Sequence, residues 1–252
     1  MLYFSHATGF CKEVWAAAIE ELGDCDVVAW DYPAHGSGPS ASHPIDWWDM
    51  ARYALDQVAG PTPRIGIGHS MGATTLVMAE LLAPDTFERL VLIEPIIFPG
   101  PKQRFTDTPL ALASRRRRQK FANREAAYAL FGSKSAFARW DRRALAGYVE
   151  GGLRPEGDHF VLSCSPEDEA EVFEMAGSFG AFDRLGEIAV PTHIVAGENS
   201  MTHSAEVVAA LVQAFPNAKS TIVADATHFV PMEQPTELAN LIRKELAAAS
   251  PA

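Results

Sequence analysis

Arg64-Ile-Gly-Ile-Gly-His-Ser-Met-Gly-Ala-Thr-Thr-Leu-Val-Met-Ala-Glu-Leu-Leu82 decides the fold. Arg64–Ile67 is short and apolar, as a strand covered on both faces should be. Met71 to Leu82 reads as a helix that stops before Pro84. Between them stands Gly68-His69-Ser70-Met71-Gly72, a G-x-S-x-G motif. A strand that turns this sharply into a helix holds the serine in a strained backbone conformation with Oγ raised above the sheet, and side chains two residues either side would clash. G-x-S-x-G also arises by chance in glycine-containing turns. The strand before and the helix after are what give the motif meaning here.

Working outward, short apolar runs recur at Leu2–Ser5, Asp26–Trp30, Arg89–Ile93, Thr192–Ala196 and Ser220–Ala224. Helical patterns separate them. Val14 to Leu22 ends at Gly23, Trp47 to Val58 is followed by Gly60 and Pro61, and Ala205 to Phe215 stops before Pro216. Pro235 suits the first turn of a C-terminal helix. The alternation implies an α/β fold with a mostly parallel sheet flanked by helices. It breaks between Pro95 and Pro191, where helix signals dominate. Asn123-Arg-Glu-Ala-Ala-Tyr-Ala-Leu-Phe ends at Gly132, and Ser165-Pro-Glu-Asp resembles a capping box. The expected organisation is a core of residues 1–95 and 191–252 with a helical cap at 96–190. Such a cap would shape a pocket over the strand ends and exclude water.

The 252 residues carry a net charge of −11, which argues against a nucleic-acid partner, since phosphate contacts need a basic face. Cys11, Cys25 and Cys164 are odd in number and lack a CxxC spacing, so neither a disulfide framework nor a cysteine zinc site is expected. The start MLYFSHATGF has no signal-peptide pattern, and no apolar run approaches the ~18 residues of a membrane span. A cytoplasmic location is the expectation, as a monomer or homodimer.

Taken together, the serine motif in its context and the strand order resemble the α/β-hydrolase superfamily, of the cap-bearing serine esterase or lipase type. The resemblance spans nearly the whole chain. It makes Leu2–Ser5 similar to the third strand of the usual fold, so that the usual first two strands are missing. It also implies roles for loops. His6-Ala7-Thr8-Gly9-Phe10 resembles the His-Gly-x-x loop that builds an oxyanion hole, with Ala7 in place of the usual glycine. By that match the backbone N–H groups of Thr8 and Met71 are the donors. Asp31-Tyr-Pro-Ala-His-Gly-Ser-Gly resembles a structural loop of the family, with Pro33 where arginine is usual.

A general base needs a side chain that titrates near neutrality, on a loop able to reach the serine. Among eight histidines, His228 in Ala226-Thr-His-Phe-Val-Pro follows the last strand and precedes the last helix, where the family places its catalytic histidine. His203 is the competitor and reads as capping or solvating a helix start. His6 would support the oxyanion loop, and the side chain of His69 should point away from the serine. No metal spacing such as HExxH is present, and no metal or cofactor is expected.

The acid departs from the family pattern. The usual aspartate would fall at 200 or 201, which hold Ser200 and Met201. Glu94, closing the strand Arg89–Ile93, is favoured as the replacement. Glu198, then Asp225 or no acid at all, are the alternatives. The run Arg115-Arg-Arg-Arg118-Gln-Lys120 reads first as a solvated helix face, and second as a docking patch for an anionic group. The expected chemistry is hydrolysis of a small-molecule carboxylic ester through an acyl-enzyme on Ser70. Cofactor-free C–C hydrolysis, perhydrolysis or a lyase reaction on the same framework is the main alternative, and a hydrolase-fold ligand receptor the lesser one.

Overall fold

The structure is a computed structural model that describes residues 1–60, 63–99, 104–176 and 180–249. Pro61, read from the sequence as following the second helix, lies outside them. Nine strands occur in the described chain: β1 (Leu2–Ser5), β2 (Val27–Trp30), β3 (Ile65–His69), β4 (Arg89–Ile93), β5 (Lys120–Phe121), β6 (Leu153–Glu156), β7 (His159–Leu162), β8 (Thr192–Gly197) and β9 (Ala218–Val223). The helices are α1 (Ala16–Leu22), α2 (Trp47–Gln57), α3 (Met71–Leu82), α4 (Pro109–Arg115), α5 (Arg124–Gly132), α6 (Arg142–Gly151), α7 (Pro166–Met175), α8 (Ala205–Ala214), α9 (Val230–Glu233) and α10 (Pro235–Ala249).

Six strands form one sheet in the order β2-β1-β3-β4-β8-β9, every pair parallel. Side chains alternate across it, as the two-residue period of a strand requires. Leu2, Phe4, Ile65, Ile67, Val91 and Ile93 pack on one face with α1 and α10. Tyr3, Leu90, Leu92, Ile194 and Ala196 pack on the other with α2, α3 and α8. Both faces are covered, which is why these strands read as continuous apolar runs rather than alternating ones. Burial of a large apolar side chain contributes about 1.5–3 kcal/mol, so the two layers dominate stability. The mostly parallel sheet flanked by helices agrees with the sequence reading, with strand ends shifted by one or two residues. The first helix begins later than its apolar pattern, because Lys12–Trp15 form a 3-10 turn before α1.

The inserted segment between β4 and β8 differs from a purely helical expectation. It holds α4 to α7, and also a three-stranded antiparallel sheet in the order β5-β7-β6. β6 and β7 form a hairpin around Gly157-Asp158, with Gly157 at φ +64°, a value that suits the first position of a tight hairpin turn. The helix caps are as their sequences suggest. Asn123 accepts from the Ala126 N–H, and Ser165 accepts from the Asp168 N–H with Pro166 in the first turn. Among the described residues no helix is long and apolar enough to cross a membrane.

The opposite edge of the sheet from the strand C-termini is fastened by charge. Glu245 of α10, 2% exposed, accepts from Arg89 at the start of β4, from His193 of β8 and from Lys219 of β9. Removing Glu245 takes the acceptor from the mostly buried Arg89 and His193, while Lys219 stays in solvent. Glu245→Ala is expected to lower the unfolding free energy by about 2–4 kcal/mol, read as a drop in urea midpoint with the slope unchanged. A shift below about 0.5 kcal/mol would show the cluster to be solvated instead.

Candidate active site

Ser70 leaves β3 with φ 55° and ψ −117°, outside the regions favoured by residues with a side chain. Such a conformation costs on the order of 1–3 kcal/mol and persists only where surroundings impose it. They do so here. The Ser70 N–H donates to the Ile93 carbonyl at 2.8 Å, tying the turn to β4. A Cβ on Gly68 would lie 2.5 Å from the Ala73 Cα, and one on Gly72 would lie 2.3 Å from the Ser5 carbonyl oxygen. Neither position tolerates a side chain, and the second contact seats the first turn of α3 against the end of β1. Met71 is the first residue of α3, so its N–H has no acceptor within the helix.

The loop 6–10 follows β1. The His6 Nδ1–H donates to the Ala7 carbonyl at 2.8 Å, while Nε2 accepts from the Tyr32 N–H. That fixes one neutral tautomer, and burial depresses the His6 pKa to about 3. The Ala7 carbonyl also accepts from the Phe10 N–H. In a trans peptide the N–H points opposite to the carbonyl, so the Thr8 N–H is turned away from both donors. Asp31 anchors the neighbouring loop by accepting from the Lys12 N–H and ammonium and from the N–H and hydroxyl of Ser37.

His228 lies in the loop between β9 and α9. Its Nδ1–H donates to Glu94 Oε2 at 2.9 Å. Glu94 is fully buried and leaves β4 with φ 51°, a second left-handed residue at the sheet's carboxyl edge. Its Oε1 accepts from the Gly197 N–H at 2.8 Å, and Oε2 also accepts from Ser200 Oγ at 2.6 Å and Thr202 Oγ1 at 3.0 Å. Burial by itself would raise the Glu94 carboxyl. Hydrogen bonds from His203 and His228 outweigh it and hold the group well below the usual carboxylate range. Glu198 is exposed and accepts from the Asp225 N–H at 3.0 Å instead of meeting His228. Asp225 is also exposed.

His203 departs from its sequence reading. It neither caps a helix nor meets solvent: it is buried, with Nδ1 2.7 Å from Glu94 Oε2 and Nε2 3.0 Å from the Pro95 carbonyl. Ser204, not His203, caps α8. His69 was read as pointing away from Ser70. Its Nε2–H donates to the His228 carbonyl at 2.8 Å, so it fixes the backbone of the His228 loop. Burial, reinforced by the neighbouring His228, lowers its pKa to about 3. Ser200, Thr202 and His203 are the residues sequence reasoning missed. One signal was available: Ser200 stands where the family pattern led to an aspartate, and a hydroxyl there invites a carboxylate partner from elsewhere.

The inserted segment meets this edge directly. Phe10 packs edge-on against Trp140 and Tyr148, and Trp140 also meets Phe229 at 5.4 Å between ring centres. Glu169 of α7 presses on Gly9, where a Cβ would lie 2.4 Å from Oε1 and where φ is +74°. Arg117 joins Glu169 to the Tyr148 hydroxyl. The arginine run thus divides its tasks instead of forming one face. α4 ends at Arg115, which pairs with Glu167 and Glu174, while Arg118 lies over the Phe121 ring and Arg116 is exposed.

Among the described residues, Glu94, His203 and His228 are the group whose donor atoms fall within 4.8 Å of one another. Both Nδ1 atoms lie within hydrogen-bond reach of Oε2, at 2.7 and 2.9 Å. The arrangement brings a serine on a strained strand-to-helix turn, a histidine, a buried carboxylate and a glycine-bearing loop to the carboxyl edge of one parallel sheet, where open α/β folds bind their ligands.

That combination defines an α/β enzyme scaffold of the nucleophile-elbow class. The chain belongs to the alpha/beta hydrolase family, whose model matches residues 2–241. It is 21% identical over 216 residues to the abhydrolase domain-containing protein ACTT2-1 of Alternaria alternata, covering 71% of this chain and 81% of the relative. Among solved structures it resembles the peroxisomal alpha-beta-hydrolase Lpx1 of Saccharomyces cerevisiae, with TM-score 0.83, 21% identity and coverage of 100% of this chain and 77% of that one. It also resembles E-2-(acetamidomethylene)succinate hydrolase, with TM-score 0.81, 22% identity and coverage of 98% and 91%.

The buried neutral histidines carry a pH signature. His6 and His69 are depressed to about 3 in the folded chain, against roughly 6.5 when unfolded. Between those values the unfolded chain binds protons that the folded chain does not. Their contribution is therefore complete above about pH 6.5 and lost as pH falls, by about 1.4 kcal/mol per pH unit per histidine. Urea unfolding from pH 7.5 to 5 should show this decline, with His69→Gln shallower by about 1 kcal/mol per unit below pH 6. Parallel slopes for the two proteins would place His69 in solvent.

Proposed function

We propose that the protein is a serine hydrolase that cleaves small carboxylic esters through an acyl-enzyme intermediate. The observation that carries this is the 2.9 Å hydrogen bond between Glu94 Oε2 and His228 Nδ1, at the same sheet edge that carries Ser70 on its strained turn. Ser70 Oγ attacks the ester carbonyl. His228 Nε2 takes the serine proton and returns it to the departing alcohol. Glu94 keeps the other proton on Nδ1, which fixes the tautomer and stabilises the imidazolium. The N–H groups of Thr8 and Met71 receive the oxyanion, where one donor is typically worth about 3–4 kcal/mol. Water, deprotonated by His228, then releases the acid. No metal or cofactor takes part in this scheme. Residues 96–190 act as a cap that favours modest acyl groups. A reducing compartment such as the cytoplasm suits the free thiols of Cys11, Cys25 and Cys164.

Ser70→Ala is expected to abolish turnover of p-nitrophenyl esters and labelling by a fluorophosphonate, with thermal stability nearly unchanged. Labelling that persists in this variant would refute the nucleophile. Esters of graded chain length, run beside a vinylogous 1,5-diketone, separate ester cleavage from C–C hydrolysis; preference for the diketone would replace the ester reading.

The acid is tested by a pair of variants. Glu94→Gln should lower kcat by at least ~100-fold and Glu198→Gln by much less, since loss of a triad carboxylate costs up to about four orders of magnitude. The reverse ranking would move the acid to the strand the family normally uses.

A further inference from the structure

Thr202 Oγ1 stands almost equally far from three side-chain donors. It lies 3.0 Å from Glu94 Oε2, 3.0 Å from His203 Nδ1 and 3.2 Å from His228 Nδ1. Oε2 in turn lies 2.7 Å from His203 Nδ1 and 2.9 Å from His228 Nδ1. The two nitrogens close the sixth edge, within 4.8 Å of each other. Four donor atoms thus mark the corners of a small, uneven tetrahedron. In a tetrahedral zinc site with bonds of roughly 2.0–2.1 Å the donors stand about 3.3–3.4 Å apart, so the five measured edges would lengthen by only about 0.1–0.7 Å.

We propose that Glu94, His203 and His228 form a binding site for a divalent transition-metal ion, zinc above all, with Thr202 Oγ1 or a water in its place at the fourth corner, and that a bound ion switches the enzyme off. The site does not depend on the serine-hydrolase reading, whereas the inhibition rests on it. Two imidazole nitrogens and one carboxylate oxygen suit zinc, cobalt, nickel or copper, while calcium and magnesium take oxygen ligands. The surroundings already orient the donors, as an outer shell does in metal sites. His203 Nε2 lies 3.0 Å from the Pro95 carbonyl, which can only accept, so Nε2 keeps its proton and Nδ1 is the nitrogen left to bind. Glu94 Oε1 is held by the Gly197 N–H, and Oε2 is steadied by Ser200. His69 holds the His228 backbone. An ion has a way in past Thr202, which is exposed, and His228, which is partly so; Glu94 and His203 lie buried behind them.

Inhibition follows from the nitrogen the ion takes. In the proposed reaction His228 Nδ1 carries a proton toward Glu94, and Nε2 is bare to accept the proton of Ser70. An ion on Nδ1 displaces that proton to water, and the ring stays neutral by taking a proton from water on Nε2. The base is then in the wrong tautomer, and the carboxylate that oriented it is bound to the metal.

The test begins with Ser70→Ala, which keeps all four donors and needs no turnover. With 15N-labelled histidine and added zinc, two of the eight histidine rings should change to Nδ1 coordination with Nε2 protonated. Cobalt should give the strong visible absorption of a four-coordinate ion rather than the weak bands of the hydrated one. In the wild-type chain, turnover of p-nitrophenyl acetate should be lost over the zinc range that saturates Ser70→Ala and return with EDTA. His203→Gln should need at least about 10–100-fold more zinc for both effects, since losing an outer-shell partner alone costs that much. Zinc could instead settle on His43 with Asp168 and Glu171, or on His159 with Glu156 and Asp158. Binding or inhibition at an unchanged zinc concentration in His203→Gln would reveal such a site and overturn the proposal. So would a six-coordinate cobalt spectrum, the absence of two Nδ1-bound rings, or full turnover with zinc seated. If His203→Gln fails to fold, the ring and cobalt measurements on Ser70→Ala decide by themselves. Two Nδ1-bound rings in a protein whose wild-type form hydrolyses no ester would sink the hydrolase reading and the inhibition with it, and leave the metal site standing.

Discussion

One carboxylate oxygen gathers the carboxyl edge of the sheet. Glu94 Oε2 accepts from side chains of the loop after β8 and of the loop after β9, while Oε1 takes the N–H of Gly197 at the end of β8. It can do so only because Glu94 leaves β4 in a left-handed conformation, which turns the chain out of the strand and swings the carboxylate across its neighbour. A residue continuing in the β conformation would carry its side chain up or down from the sheet, toward one helical layer or the other. Strain at this position and strain at Ser70, one strand away, are thus two parts of one device. Each is held by a backbone hydrogen bond to an adjacent strand, Ser70 to Ile93 and Glu94 to Val195.

Much of this was legible in the sequence, for reasons that can be named. The strands were found because both faces of a parallel sheet demand apolar side chains, and the helices because Gly23, Pro84, Pro216 and Pro235 punctuate them. The serine turn was legible because Gly68 and Gly72 cannot be replaced without collision. The β6–β7 hairpin was not, since a two-residue turn at Gly157-Asp158 within a helix-rich stretch gives little periodic signal, and only part of each short strand is buried.

The site was legible unevenly. Ser70 and His228 sit in loops whose flanking elements announce them. Glu94 could be named as a candidate because the usual aspartate was missing, but choosing it over Glu198 depended on which way each side chain turns, and that is decided by a backbone angle rather than by composition. His203 was misread because histidine beside serine at a helix start is ordinarily a surface residue. Burying it required a carboxylate supplied from a strand more than a hundred residues earlier in the chain, a pairing that no local pattern records. The arginine run misled in the same way: the chain leaves the helix at Arg115, so neighbours in sequence part company in space.

The contact between Glu169 and Gly9 has a consequence for anyone who would rebuild this protein. The inserted segment is not an independent module set on a finished base. One of its carboxylates, steadied by Arg117, occupies the space where any other residue at position 9 would place a side chain. Exchanging the segment for that of another hydrolase would leave the loop after β1 unsupported unless position 9 and its partner travelled together. A graft designed around residues 96–190 alone therefore has its boundary in the wrong place, since the true seam runs through the loop at residues 6–10.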